Sequence, residues 1–323
     1  MRKHTALWLA GACLAALVHL ACTEAPQPPR SDCVRGDLVG LVDAYFAALE
    51  AHDPSTLPLA PGLRYTENGV EKAVGQGFWQ TAGKTLLRRD LIDTQKCGTH
   101  SNAVIEEAFD PATVGETPAA SLPGMEVRPL PETGAPRPIL VGVRLRLENG
   151  RITEIETIIA RENEFAFNAE GVLATRDQDW GGILPPGERS SRLAMMAAAD
   201  DYFDMFAAEP AVRTPFASVC DRWENGTQTT VSGMFTLEGE DGQKAEMHAH
   251  DCTPKGLVIS NHGPRRFLVD VDAGLVVAYV HFAGSLPDFH MFKMRNGDVE
   301  MIQAVIGSAS ESMGWPGEPA CKE

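Results

Sequence analysis

Apolar residues follow a helical rhythm and then a strand rhythm along this chain, and the whole succession occurs twice. Residues 36–52 place Leu38, Leu41, Val42, Tyr45, Phe46 and Leu49 at helical spacing on one side. The segment "HDPSTLPLAPG" breaks that period, and "LRYTENG" reads as a short strand ending at a turn. "VGQGFWQTAGKTLLRR" predicts a glycine-broken loop and a short helix. "SNAVIEEAF", "PILVGVRLRLENG" and "RITEIETIIAR" read as strands, and the last two meet at Asn149-Gly150, a strong hairpin signal. Residues 161–190 have no long period, but Phe165, Phe167, Trp180 and Ile183 require burial, so an ordered connector is expected. The order then restarts with a helix at 191–206, "DRWENG", and strands near 229–237, 244–250, 266–271 and 275–282. "FHMFKMRNG" and "DVEMIQAVIG" close it.

Sliding the chain by 157 positions lays Tyr45 on Tyr202, Phe46 on Phe203, Pro58 on Pro215, Ala60 on Ala217 and Glu67-Asn68-Gly69 on Glu224-Asn225-Gly226. The closing hairpins align at an offset of 147, Asn149-Gly150 on Asn296-Gly297 and Glu156 on Gln303. Solenoid repeats run to about 20–50 residues, so this period marks a duplicated small domain. The expected organisation is a leader over 1–21, a tether over 22–35, repeats over 36–160 and 191–310 around the connector, and a tail over 311–323. Helices first and strands later imply an α+β fold. A curved antiparallel sheet wrapped around its helices makes a cone, whose cavity only alternate, inward-facing strand residues can line.

"DAYFAALEAHD", "LPLAPGLRYTENG" and "GQGFWQT" resemble the nuclear-transport-factor-2-like (NTF2-like, SnoaL-like) cone fold. The doubled arrangement, with "ENEFAFNAEGVL", "DYFDMF" and a second "ENG", is similar to a secreted family of unassigned function found in fungi and bacteria. The resemblance covers nearly all of 33–310 and implies two tandem cones. This fold hosts isomerases, dehydratases, cyclases, lyases and plain binding modules, so it does not choose a reaction. Cys321 and the acidic loop "TLEGEDGQKAE" depart from the family pattern.

The leader pairs a basic start, "MRKH", with the apolar run "TALWLAGACLAALVHLA", the layout of an export signal; a retained anchor is the alternative. Cys22 follows it as in bacterial lipoprotein signals, so lipidation at Cys22 competes with ordinary cleavage nearby. The expected location is periplasmic, outer-membrane-anchored or secreted, with membrane contact only through that lipid. Without residues 1–21, 26 basic residues face 44 acidic ones, a net charge of −18 that disfavours nucleic acid. Five further cysteines follow Cys22, as in an oxidising compartment. Cys220 with Cys252 is the expected pair within the second repeat, and Cys33 with Cys97 the second; Cys33 with Cys321 is the alternative.

Candidate chemistry begins with Glu67-Asn68 and Glu224-Asn225, where Glu could act as acid or base and Asn hold an oxygen, or where the pair could simply make a turn and cap a helix. Arg64-Tyr65 and Arg222-Trp223 offer a tyrosine base and a neutralising arginine, or strand core. After Cys33, histidine is concentrated in the second repeat, which favours the second cone as the active one; His281 and His290 are the candidate bases. His248 and His250 share a face if that segment is a strand, giving a weak metal candidate; no metal or other cofactor is expected. His262, Arg265 and Arg266 form a basic cluster able to grip a carboxylate. The chain contains no P-loop, no dinucleotide glycine fingerprint in context and no GxSxG elbow. These residues point to an exported, cofactor-independent lyase, dehydratase or isomerase, in its sharpest form eliminating across a uronate, sugar acid or short oligosaccharide. The alternative is a non-catalytic carrier of an apolar or amphipathic molecule, with Phe78, Trp79, Trp223 and "MFKM" lining a greasy cavity. A structural module with its cone openings buried is a third reading.

Overall fold

The computed structural model describes residues 33–113, 130–162, 164–232, 236–238, 241–246, 248–254 and 256–316. Cys22 and Cys321, and so the lipidation and Cys33–Cys321 expectations, lie outside them. Helix α1 (Arg35–Glu50) buries Leu38, Val42, Tyr45, Phe46 and Leu49. Strands β1 (Leu59–Glu67), β2 (Val70–Lys72), β3 (Ala82–Asp93), β4 (Gly98–Ala108), β5 (Pro136–Glu148) and β6 (Arg151–Ala160) follow. The connector carries a short helix, α2 (Ala169–Leu173), and α3 (Arg192–Asp204) opens the second half. Ser191 caps α3 by accepting from the Ala194 N–H at 3.2 Å. Then come β7 (Phe216–Glu224), β8 (Thr227–Gln228), β9 (Thr236–Glu238), β10 (Lys244–Glu246), β11 (Arg266–Asp270), β12 (Leu275–Phe282), β13 (Leu286–Arg295) and β14 (Asp298–Ile306).

The first sheet runs β2-β1-β6-β5-β4-β3 and the second β8-β7-β14-β13-β12-β11, the same order element for element. Two curved sheets, each closed by one long helix, give the expected α+β pair of cones. Three details differ from expectation. Each sheet is antiparallel except at one junction, where β1 runs parallel to β6 and β7 to β14. Within "VGQGFWQTAGKTLLRR" the helix is only the single turn Gly77–Gln80, and "KTLLRR" belongs to strand β3, whose alternation is masked by register shifts at Ala82–Leu87. Ile183 is 55% exposed, whereas Trp180 is buried. Both closing hairpins turn on Asn-Gly pairs with positive φ at Asn149, Gly150, Asn296 and Gly297, the conformation that suits this dipeptide.

Inside the first cone, Ala103, Ile105, Val141, Val143, Ile155 and Ile159 pack with α1, Phe78 and Trp79. The opposite face meets the second sheet, Val104, Leu140 and Ile158 against Val277, Tyr279, Phe289, Met291 and Val305. The cones are thus joined back to back. Their contacts are reciprocal, as at an isologous interface. Arg35 reaches Asp270 at 2.7 Å while its equivalent Arg192 reaches Asp93 at 2.8 Å. Asp270 accepts from the Ile92 N–H, and Asp93 from the Val269 N–H. Arg266 binds Glu156 at 2.6 Å, and Arg89 binds Gln303 at 2.7 Å. Phe289 fills the space over Gly142, its own counterpart at the offset of 147, where even a Cβ would come within 2.0 Å of the ring. Burial alone would raise the Glu156 carboxyl, but Arg266 and Arg144 hold it below the usual carboxylate range. His100 accepts or donates at 2.6 Å to the Tyr279 hydroxyl, and burial pushes it down to about 3. Disulfides Cys33–Cys97 and Cys220–Cys252 are formed, one in each cone, in keeping with an oxidising environment.

Candidate active site

Alternation along β7 turns Arg222 and Glu224 into the second cone, and alternation along β13 does the same for Asp288, His290 and Phe292. Register then sets Glu224 opposite Ala304, and Ala304 opposite His290. The three form one row across adjacent strands, so Glu224 and His290 stand two strand spacings apart, about 10 Å between backbones. Ala304 between them is too small to fill the gap. Tyr202 and Phe203 of α3 close over the row, their rings 5.4 and 5.1 Å from the His290 ring. A loop over 250–262, tied to β7 by Cys220–Cys252, supplies Pro254, Leu257 and Ile259 as one wall. Phe165 from the connector, Phe206, Phe282, Leu286 and Ile306 complete a cavity of about 200 Å³ with Arg222 and Glu224 in its lining.

The polar groups at this cavity are unequally satisfied. Arg222 donates to Thr229 Oγ1 at 2.8 Å, to the Tyr202 hydroxyl at 3.0 Å and to the Cys252 carbonyl at 3.2 Å. Burial would lower Arg222, but Tyr202 and Glu224 outweigh it, and the group stays cationic. Glu224 Oε2 accepts no hydrogen bond and has Arg222 Nε only at 3.5 Å. One wall deeper, His290 Nδ1 lies 3.2 Å from Asp288 Oδ2, both fully buried. Burial pushes the Asp288 carboxyl up, against the His290 contact, and Glu224 adds to the rise. His262 packs against Phe203, Phe206 and Phe282 and is held down to about 4 by burial, with Arg265 and His290 contributing. The arrangement sets a poorly satisfied carboxylate beside a fixed cation in an apolar chamber, with a second buried carboxyl close by.

The first cone keeps the glutamate and the helix tyrosine but changes their neighbours. Tyr65 occupies the place of Arg222, and its hydroxyl donates to Glu67. Glu67 also accepts from the Phe78 N–H at 2.6 Å, so it caps the short turn Gly77–Gln80. That turn places Phe78 and Trp79 in the core, Trp79 edge-on to Tyr45 at 5.5 Å. Val141 and Val143 stand where the second cone has Asp288 and His290.

Other sequence candidates are placed away from the cavity. His281 lies on the opposite face of its sheet from His290, its Nε2 3.0 Å from the Ser310 carbonyl. Arg265 is paired with Asp200 and Asp204 at 2.8 and 2.9 Å, and Arg266 is spent on Glu156, so neither clamps a ligand carboxylate. Asn68 exchanges two hydrogen bonds with the Ile159 backbone, and Asn225 does the same with Ile306; both lock a strand end. Trp223 points to the face opposite Glu224. Arg64 pairs with Glu71 and covers the Trp315 ring at 4.4 Å. His248 and His250 are exposed in a turn beyond β10, where a strand was expected, and His250 meets Asp221 at 3.0 Å. No group of three or more His, Cys, Asp or Glu among the described residues could hold a metal ion. Asp288, Tyr202 and the wall of Pro254, Leu257 and Ile259 were not singled out from sequence. Asp288 had a signal, being two residues before His290 on a strand, and Tyr202 had another in its alignment with Tyr45.

The second of these curved-sheet units thus carries the polar cavity. Residues 188–306 match the model of a family described as a domain of unknown function, DUF8021. Among solved structures, the chain is similar to a candidate polyketide cyclase from Xanthomonas campestris, at 17% identity over 43% of this chain and 96% of that one, TM-score 0.29. It is also similar to an LEH-like epoxide hydrolase from M. tuberculosis, at 15% identity over 39% and 84%, TM-score 0.26. A de novo designed protein with a curved β-sheet matches at 12% identity over 39% and 88%, TM-score 0.27. No curated protein matches.

Proposed function

We propose that the second cone is a cofactor-independent proton-transfer site of the lyase, dehydratase or isomerase kind. The observation that carries this is Glu224, a carboxylate in the lining of an apolar cavity 3.5 Å from the cation Arg222. Glu224 removes a proton from carbon next to a carbonyl, and Arg222 stabilises the oxyanion that forms. Tyr202, Thr229 and the Cys252 carbonyl hold the guanidinium in place. His290 and Asp288 position the row behind Glu224 and keep a second proton near it. Elimination from a uronate finds little support, since Arg265 and Arg266 are committed to carboxylates of the chain itself. Work outside the cytoplasm is supported by the leader-like residues 1–21 and by the two disulfides, whether the chain is released or held by a lipid at Cys22.

The test is deuterium uptake. In D2O, small enolisable ketones incubated with the protein should gain deuterium beside the carbonyl, read by mass spectrometry. Glu224→Gln should slow uptake by about 100-fold or more while leaving the fold's circular dichroism intact. Unchanged uptake in that variant removes Glu224 as the base. The apolar lining also favours a second reading, a carrier; a ligand that binds with no uptake in any ketone would select it.

A further inference from the structure

We infer that the second cone takes a neutral, compact molecule of one or two rings, apolar except for a single oxygen function. This rests on the acid–base reading of the same cavity and narrows its substrate. Size sets the first limit. The cavity is about 200 Å³. An apolar protein cavity of about 150 Å³ holds one benzene, and 200 Å³ equals the liquid volume of only about seven waters. One substituted ring fits with space to spare, and three fused rings exceed what close packing allows.

Polarity sets the second limit. Phe165, Phe206, Phe282, Leu257 and Ile259 offer no side-chain hydrogen-bond partner, so the several hydroxyls of a sugar would be buried unpaired. The polar features of the lining lie together at Arg222 and Glu224, which accommodates one oxygen function. Charge sets the third limit. Arg222 is already bonded to Thr229, Tyr202 and the Cys252 carbonyl and lies 3.5 Å from Glu224, so its charge is already offset. A ligand carboxylate would face Glu224 with no new cation to offset it, and the buried Asp288 lies nearby. A hydroxyl donor or an acidic C–H suits the glutamate instead.

The experiment measures affinities of the full chain, disulfides intact, for phenol, cyclohexanol, benzoate, glucuronate and 2-hydroxyanthracene by calorimetry at pH 7. Phenol and cyclohexanol should bind at least tenfold more tightly than the other three. Leu286→Trp should abolish phenol binding by filling the cavity, and Leu257→Trp, also in the lining, provides the same check if the first variant misfolds. Glu224→Gln should weaken phenol and admit benzoate. Absence of phenol binding, or benzoate, glucuronate or 2-hydroxyanthracene binding as tightly as phenol, overturns the inference. Deuterium uptake by cyclohexanone separates the two levels. Phenol binding without uptake keeps the ligand class and removes proton transfer. Uptake confined to charged or polyhydroxylated carbonyl compounds keeps proton transfer and removes the class.

Discussion

Glu67 and Glu224 occupy equivalent places in the chain and have opposite fates. Glu67 is consumed by the Tyr65 hydroxyl and the Phe78 N–H. Glu224 has neither, because Arg222 replaces Tyr65. The sequence presents both as possible acids and both as possible caps; the neighbours that decide come from other elements. Buried histidines carry a consequence for pH. An unfolded imidazole takes up its proton near 6.5, whereas His100 in the fold waits until about 3 and His262 until about 4. In that interval the unfolded chain binds more protons, so these two groups lower stability as pH falls below about 6.5, and the loss is complete near 3. Glu164, which burial raises to about 7, acts in the opposite sense, so the comparison must be made between variants. Urea denaturation of His100→Asn should show a shallower loss of stability between pH 7 and 4.5 than wild type. An equal slope would remove His100 from the balance.

At the scale of elements, β12 and β13 explain why His281 and His290 could not be separated by reading alone. Alternation marks a face only when one side of a sheet is wet. Here Val276 to Val280 are all buried, one set inside the cone and the other against the first sheet, so the two-residue rhythm is erased. Only the pairing of Ala278 with His290 shows which way each histidine points. The opening helices, the closing hairpins and the Cys220–Cys252 pairing were legible because their signals are local: one-sided apolar spacing, Asn-Gly, and two cysteines within one repeat; Cys33, ahead of its repeat, had both Cys97 and Cys321 open to it. The strand at "KTLLRR" was not, since its bulges mimic a broken helical period. The wall built by Pro254, Leu257 and Ile259 lies outside the strands and helices and depends on Cys220–Cys252, which spans 32 residues. Replacing both cysteines by Ala should cost about 2–4 kcal/mol, lower the melting temperature by roughly 5–10 °C and weaken phenol binding. Loss of stability with unchanged phenol affinity would show that the wall holds its shape without the bond.

The molecule as a whole is held by the face its cones share. Arg144 and Arg266 converge on Glu156, all three nearly buried. Glu156→Ala strips Arg266 of its carboxylate and leaves Arg144 with Glu154 alone, and should cost about 3–5 kcal/mol by denaturant titration. With one apolar cluster spanning both sheets, wild type should melt in a single calorimetric transition. Two resolved peaks would mean that the halves fold independently. The doubled order of elements was visible in the sequence; the back-to-back contact was not, because residues such as Phe289 and Tyr279 look like ordinary interior strand positions. The reciprocity of that contact has a further consequence. Two separate subunits joined this way would come apart on dilution, and any change at their interface would appear twice. A single chain escapes both constraints. It stays assembled however dilute it becomes, and each half has been free to change alone, Gly142 facing Phe289 and Val143 answering His290.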